Sequence, residues 1–426
     1  MVKEKNWFKL DNAGKMYSSI TSARSTTLFR ISVDLKEKVD KSILQKALDN
    51  CMDRFPYLNV NLKRGLFWYY FDRNSIMPKV EKEKYYPCMY LEVKKKNIFL
   101  FRVLYYNKKI SVEFSHIITD GTGATFFLKV LIIEYFRLKG IYCENIENIY
   151  RTSYIPKIDE IEDSFKKYYD KKIPSIPNGK SAFHFPFKLC EKGEYYVVIG
   201  IVDVDVLIKK AKKYDSTITQ FLTAIYFKSI LEFIKSINCK KKPIVMNVPV
   251  NLRKMYSSKT MKNFFISLTP TIDPRLGEYT FEEIIKYTKN YMRFYIDKKY
   301  INKIISRNVK NERSIFLRVF PLILKDFGMP YIYNFFGEKN YTTGFSNFGK
   351  VTMPKEIDNY IERIEVYPPP SIGNIIKVTA ISYNNKMHIS FGKLTENKDI
   401  EMIFFRNVRK MGIKVKVEKN NYNIRK

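Results

Sequence analysis

The stretch Phe114-Ser115-His116-Ile117-Ile118-Thr119-Asp120-Gly121 decides how the chain reads. Upstream of it, Lys109 to Ser115 alternates, with Ile110, Val112 and Phe114 on one face, as a half-buried strand does. Downstream, Ala124 to Leu138 is a long, mostly apolar run with Gly140 as its stop, the pattern of a buried helix. His116 therefore stands on a turn between two buried elements, with a carboxylate four residues later. A neutral imidazole is suited to taking a proton from an alcohol, thiol or amine and returning it, because its ordinary pKa lies near neutrality. Asp120 is expected to fix the turn by pairing with a cation rather than to act as a second base. Gly121 and Gly123 are expected to supply backbone conformations that a Cβ would obstruct. The string alone fits a structural histidine equally well, and it is the setting that favours chemistry.

Outward from that stretch, strands and helices recur to both ends, the mark of a mixed α/β chain. Phe29, Ile31, Val33 and Leu35 alternate as a strand, and Asp40 caps a helix from Ile43 to Phe55 that Pro56 ends. Leu10 to Lys15 reads as a polar turn. A hairpin is expected from Leu58 to Phe71 around Lys63-Arg64-Gly65, its aromatics in the core, and a second from Ile98 to Ser115 across Asn107-Lys108. Ile141 to Asn178 is polar and proline-bearing and reads as the join between two halves, with some helix around Glu160 to Lys171. Beyond it come a strand from Tyr195 to Val202 and the capping box Thr217-Ile218-Thr219-Gln220, which heads a long helix. Strands are expected next at Ile244 to Arg253 and Phe264 to Thr271, then helices over much of Phe281 to Phe336 and a turn-rich edge at Gly344 to Val351. A last hairpin turns at Asn384-Asn385 before a helix from Ile400 to Met411.

The composition bounds the function classes. The net charge of +33 would ordinarily point to a polyanionic partner. The cations are spread along the chain, however, in short runs such as Lys94-Lys95-Lys96 and Lys240-Lys241-Lys242, without an aromatic-basic platform. Lys, Ile, Asn and Tyr are abundant together and share AT-rich codons, so biased composition accounts for the charge; nucleic acid is not an expected partner. A basic funnel for an anionic co-substrate remains compatible with it. Five scattered cysteines, Cys51, Cys88, Cys143, Cys190 and Cys239, read as reduced structural thiols, and no metal-ligand spacing occurs. No apolar run has the length of a membrane span and the N-terminus lacks a signal-type core, so a cytoplasmic location is expected.

Several separated stretches carry a resemblance. Phe114 to Gly121, Val248-Pro249-Val250-Asn251-Leu252-Arg253, Asn263-Phe264-Phe265 and Ser346-Asn347-Phe348-Gly349, in this order, resemble the bacterial alcohol acetyltransferases. Leu10-Asp11-Asn12-Ala13, Phe55-Pro56, Phe67-Trp68-Tyr69-Tyr70 and Gly412-Ile413-Lys414-Val415 extend the likeness over nearly the whole chain. That group lies within the coenzyme A-dependent, chloramphenicol acetyltransferase-like superfamily, which also holds plant acyltransferases and the condensation domains of peptide synthetases. The resemblance implies an α/β sandwich of two halves, 1–175 and 176–426, forming a V with a central tunnel. It implies His116 as the general base, with Asp120, paired to Arg253, and Gly121 as structural parts of the site. Ser346, Asn347 and Asn251 are then candidates for oxyanion or tunnel contacts, although Ser346 and Asn347 are also what a tight turn prefers. Acyl-CoA is implied as co-substrate, with no bound cofactor, no metal, small-molecule donor and acceptor, and a monomeric state.

Departures bear on the finer reading. Position 115 is serine where many condensation domains have a first histidine, and Gly344 to Gly349 stands where plant relatives carry an Asp-Phe-Gly-Trp-Gly loop. No stretch reads as an attached carrier domain. The expected activity is transfer of an acyl group, acetyl foremost, from acyl-CoA to an alcohol. The rivals are a free-standing condensation enzyme drawing on a carrier-protein thioester, a noncatalytic protein that keeps the fold, and a basic membrane-surface or nucleic-acid binder. His184 and His388 match no motif and read as structural.

Overall fold

The computed structural model describes residues 7–175, 181–239, 242–314, 319–326, 328 and 338–419. The first half runs β1 (Trp7–Lys9), α1 (Asn12–Ile20), β2 (Leu28–Leu35), α2 (Lys41–Arg54), β3 (Val60–Arg64), β4 (Tyr69–Arg73), β5 (Val80–Lys82), β6 (Phe101–Tyr106), β7 (Lys109–Ser115), α3 (Gly121–Leu138) and the short α4 (Ser164–Lys167). The second runs β8 (Tyr196–Asp203), α5 (Val204–Lys213), α6 (Ile218–Ser236), β9 (Ile244–Asn251), α7 (Arg253–Tyr256), β10 (Phe265–Leu268), β11 (Thr271–Ile272), α8 (Phe281–Tyr295) and α9 (Lys298–Arg313). It continues with β12 (Thr343–Lys350), α10 (Lys355–Asp358), β13 (Ile361–Tyr367), β14 (Ile376–Tyr383), β15 (Lys386–Lys393), α11 (Asp399–Lys410) and β16 (Lys416–Lys419).

Local chemistry explains the boundaries that the sequence announces. The Asp40 carboxylate accepts from the Ser42 and Ile43 amides and starts α2, while Thr217 and Gln220 complete both bonds of the capping box that starts α6. Asn107, at φ 51°, turns β6 into β7, and Asn384 and Asn385, at 43° and 57°, turn β14 into β15. Asparagine tolerates that left-handed region better than most residues.

Two sheets carry the structure. A five-stranded sheet in the order β13-β2-β7-β6-β5 backs onto α2 and α3 and shares their apolar core. An eight-stranded sheet, β10-β9-β12-β14-β15-β8-β16 with β11 also on β9, backs onto α6, α8 and α11 around a second core. A small sheet, β1-β4-β3, flanks the first half.

The layout departs from expectation in several places. Residues 12–20 form a helix, not a turn, because Asp11 caps it and its small face, Gly14, Ser18 and Ser19, is buried. Strand β4 starts at Tyr69, so Leu66 and Phe67 lie exposed in the turn and only Tyr69 and Phe71 enter the core. The helix expected around Glu160 to Lys171 is reduced to two single turns. Helix α5 has no counterpart among the expected elements. Helical structure expected over much of Phe281 to Phe336 is seen in α8 and α9 and again at 322–326. Most of 314–336, like Lys240-Lys241, lies outside the described residues.

Strand β13 is a second element absent from the expected set, and it governs how the halves join. It pairs antiparallel with β2, from Ile361 opposite Leu35 to Tyr367 opposite Arg30, so a late segment completes the first sheet. Its polar face forms a buried seam. Arg363 donates to Asp34 on β2 at 2.6 Å and to Glu418 on β16 at 2.6 Å, tying both sheets with one guanidinium. Burial alone would push Glu365 up, but Lys109 and Arg363 overturn it and hold the carboxyl at about 2. Replacing Arg363 by Met leaves Asp34 and Glu365 with Lys109 but without their guanidinium inside the seam. The expected cost is roughly 1–3 kcal/mol, read as a lower urea midpoint at pH 7.

Candidate active site

The turn from β7 into α3 is braced from all sides. The buried Ser115 hydroxyl accepts from the Ile117 amide at 3.2 Å and pairs with the Thr27 hydroxyl at 3.0 Å, while the His116 amide donates to the Thr27 carbonyl. Asp120 is the N-cap of α3: its Oδ1 accepts from Thr122 N at 3.0 Å and Gly123 N at 3.2 Å. The same carboxylate receives Arg253 as a fork, Nη1 to Oδ2 at 2.8 Å and Nη2 to Oδ1 at 3.0 Å, and Phe264 N at 2.9 Å. Arg253 spends its remaining donors on the Thr260 and Lys262 carbonyls and on Asn251 Oδ1. Every strong acceptor direction of Asp120 is filled, which makes it a clamp between the halves and leaves it no lone pair for the imidazole.

The two glycines are needed for room, not for unusual torsions, since neither has a positive φ. A Cβ on Gly121 would overlap the Phe348 ring of β12, and one on Gly123 would overlap the Thr119 hydroxyl and the Met261 carbonyl. Close approach of the two halves is thus written into these positions.

His116 lies at a cavity of about 540 Å³ whose walls come from both sheet systems. Its ring stacks on Tyr17 at 5.2 Å between centroids and is packed by Phe29 at 4.4 Å and Phe265 at 6.1 Å. Nδ1 is buried and makes no well-formed hydrogen bond, whereas Nε2 is the ring nitrogen left open to the cavity. No carboxylate among the described residues hydrogen-bonds the ring. Burial is the main cause that draws the His116 pKa down, to about 4; the Asp120 charge, Asn263 and the Thr119 main chain pull it back up, and Lys377 adds to the fall. The imidazole is neutral at physiological pH.

Across the cavity, Ser346 and Asn347 sit on β12 as expected, but differ in their engagement. The Asn347 amide donates to Thr219 Oγ1 at 2.9 Å and its oxygen accepts Gly349 N at 2.9 Å. The Ser346 hydroxyl has no hydrogen-bond partner among the described residues. Asn251 is held like Asn347, donating to Thr122 Oγ1 at 3.0 Å and accepting from Arg253. Residues that sequence reasoning gave no role also line the cavity: Tyr17, Phe29, Asn247, Lys129, Lys350 and Lys377. Lys129 projects from α3 over the Tyr150 ring at 4.0 Å, and burial lowers its pKa. Nothing in the local sequence pattern marks these residues; they meet only through the packing of distant strands. Among the described residues no group of three or more His, Cys, Asp or Glu side chains is placed to hold a metal ion. His388 is buried within β15 and His184 faces two main-chain carbonyls, both away from the cavity.

Neither a family model nor a curated protein sequence matches the chain. Solved structures do. Trichothecene 15-O-acetyltransferase from Fusarium sporotrichioides superposes with a TM-score of 0.61 at 10% identity, over 95% of this chain and 94% of that one. TRI101 of F. sporotrichioides, complexed with coenzyme A and T-2, gives 0.62 at 10% identity over 97% and 100%. The condensation domain of Monacolin K polyketide synthase gives 0.58 at 10% over 96% and 97%. The fold is that of the chloramphenicol acetyltransferase-like acyltransferases and condensation domains. At such identity the backbone layout is what is shared with this superfamily, and the cavity's side chains are the chain's own.

Two outcomes are expected from the geometry. In a titration of ring-labelled histidine followed by NMR, with His116→Gln to assign the signal, the main His116 transition is expected near pH 4 rather than near 6.5. Arg253→Met strips a buried carboxylate of its fork and is expected to cost ~3–5 kcal/mol of stability, measured by urea unfolding.

Proposed function

We propose that the chain is an acyltransferase that moves an acyl group, acetyl foremost, from acyl-CoA to an alcohol, with His116 as general base. The observation that carries this reading is the open Nε2 of a neutral imidazole facing a cavity built by both halves. What the solved relatives' names say of acetyl transfer and of coenzyme A is carried over here as part of the same proposal.

In this reading an acceptor hydroxyl in the cavity gives its proton to Nε2 as its oxygen attacks the thioester carbonyl. The oxyanion of the tetrahedral intermediate needs a donor, and the unengaged Ser346 hydroxyl suits it better than Asn347 or Asn251, whose amides already hold the structure. Collapse breaks the carbon–sulfur bond, and the leaving thiolate takes the proton back from His116. Asp120 and Arg253 contribute through position. Lys129, Lys350 and Lys377 give the cavity a positive potential that favours an anionic donor such as a coenzyme A thioester. No helix among the described residues is long and apolar enough to cross a membrane.

The test is release of free thiol from acetyl-CoA by wild type and His116→Ala side by side, with alcohol and amine panels and mass spectrometry of products. Release that requires an alcohol and falls by about 10²–10⁴-fold in the folded variant supports the proposal. An active, folded His116→Ala would sink it. Turnover only from a carrier-bound thioester, or only with amines, would redirect it to condensation chemistry.

A further inference from the structure

Two stretches singled out in the sequence are left without a role by the reaction above: Leu10-Asp11-Asn12-Ala13 and Asn263-Phe264-Phe265. They meet behind His116. Asp11 and Asn263 are each 1% exposed. Asp11 Oδ1 accepts Gly14 N at 2.6 Å and caps α1, and its Oδ2 accepts Asn263 N at 3.1 Å and Nδ2 at 3.2 Å. The same Asn263 Nδ2 donates to the His116 carbonyl at 2.8 Å. The amide faces two acceptors, a carboxylate and a main-chain carbonyl, so its orientation is fixed by chemistry: turned over, it would set oxygen against oxygen at both ends. Helix α1 docks at the same place, where a Cβ on Gly14 would overlap the Ile117 carbonyl, and it presents Tyr17 to the imidazole face.

Resting on the acyltransferase reading, we propose that Asp11 and Asn263 are positioning residues for His116: the ionised carboxylate holds the Asn263 amide, which holds the main chain of the base while α1 holds its ring. Neither touches the cavity as a reacting group. The ionised state is the one that works, because a carboxylate accepts from Gly14 and twice from Asn263 with no donor to misplace.

The fold itself gains nothing from that charge. Burial, then the neighbouring Asp163 charge, raise the Asp11 pKa from 3.8 to about 6, against the pull of Gly14, Lys262 and Asn263. A carboxyl raised on folding contributes its full stability below its ordinary pKa and loses it as pH rises through about 6. At neutral pH the ionised group is therefore a burden to stability. The charged groups around it are Asp163 ahead of α4, itself bound by Lys166, and Lys262 ahead of β10; Lys15 and Glu312 pair close by.

The experiment has two arms. Without turnover, the His116 ring resonance of wild type is followed from pH 4.5 to 8. A second inflection near 6, absent in Asp11→Asn, is expected; a His116 signal flat through pH 6 overturns the proposal whatever the protein catalyses. With turnover, kcat of wild type should fall on acidification through about pH 6 while the thermal midpoint shows the protein folded. Asp11→Asn and Asn263→Ala should each lose about 10-fold to 100-fold in kcat with KM little changed, and Asp11→Asn should lose the limb near 6. Loss in Asp11→Asn alone, with Asn263→Ala at wild-type kcat, would make Asp11 a helix cap and overturn the relay. Absence of any transfer by wild type would count against the acyltransferase reading and leave the resonance arm to decide this one.

Discussion

The carboxylate of Asp120 is the constraint on which the rest of the structure leans. It begins α3, receives the guanidinium of Arg253 from the other half and stops the chain ahead of β10 by accepting Phe264 N. A charge this enclosed is tolerable only when each lone pair is met, and the five donors do so from three separate segments. The consequence is registration. His116, four residues upstream, is placed relative to Phe265 and β12 by a contact in which it takes no part.

The His116 imidazole is kept neutral by a different means from that of the histidine in a hydrolase triad. No carboxylate among the described residues lies on Nδ1; aromatic rings and depth hold the proton off. Such a site favours a base that must be free at rest over one that must stabilise an imidazolium for long. This suits a direct transfer in which the proton visits the ring between two heavy-atom steps.

Legibility from sequence tracks the range of the forces involved. The caps at Asp40 and Thr217, the asparagine turns and the apolar run of α3 rest on neighbours within a few residues, and each is readable. Helix α1 is not, because its buried face is made of Gly14, Ser18 and Ser19 and its support is the Ile117 carbonyl, remote in sequence. Strand β13 hides because Glu362, Arg363 and Glu365 break its apolar pattern; only the seam with Asp34 and Lys109 explains a buried Glu365. At the site, the pairing of Asp120 with Arg253 comes from resemblance, whereas the split between a free Ser346 and an engaged Asn347 depends on Thr219, which no spacing connects to them. The two glycines, expected for their torsions and needed for their room, are misread for the same reason: Phe348 and Met261 approach them from far along the chain.

The return of β13 to the first sheet has a meaning for the order in which the molecule can come into being. Strand β2 offers an unpaired edge from the moment it leaves the ribosome, and its partner is synthesised only after most of the second half. Closing so long a loop is entropically slow, and an open edge is a template for the wrong strand. The early sheet must therefore wait, partly built, and is exposed to intermolecular pairing during vectorial synthesis. The first half is not a complete sheet in that interval, and the cavity, whose walls come from both sheets, is finished as a late event.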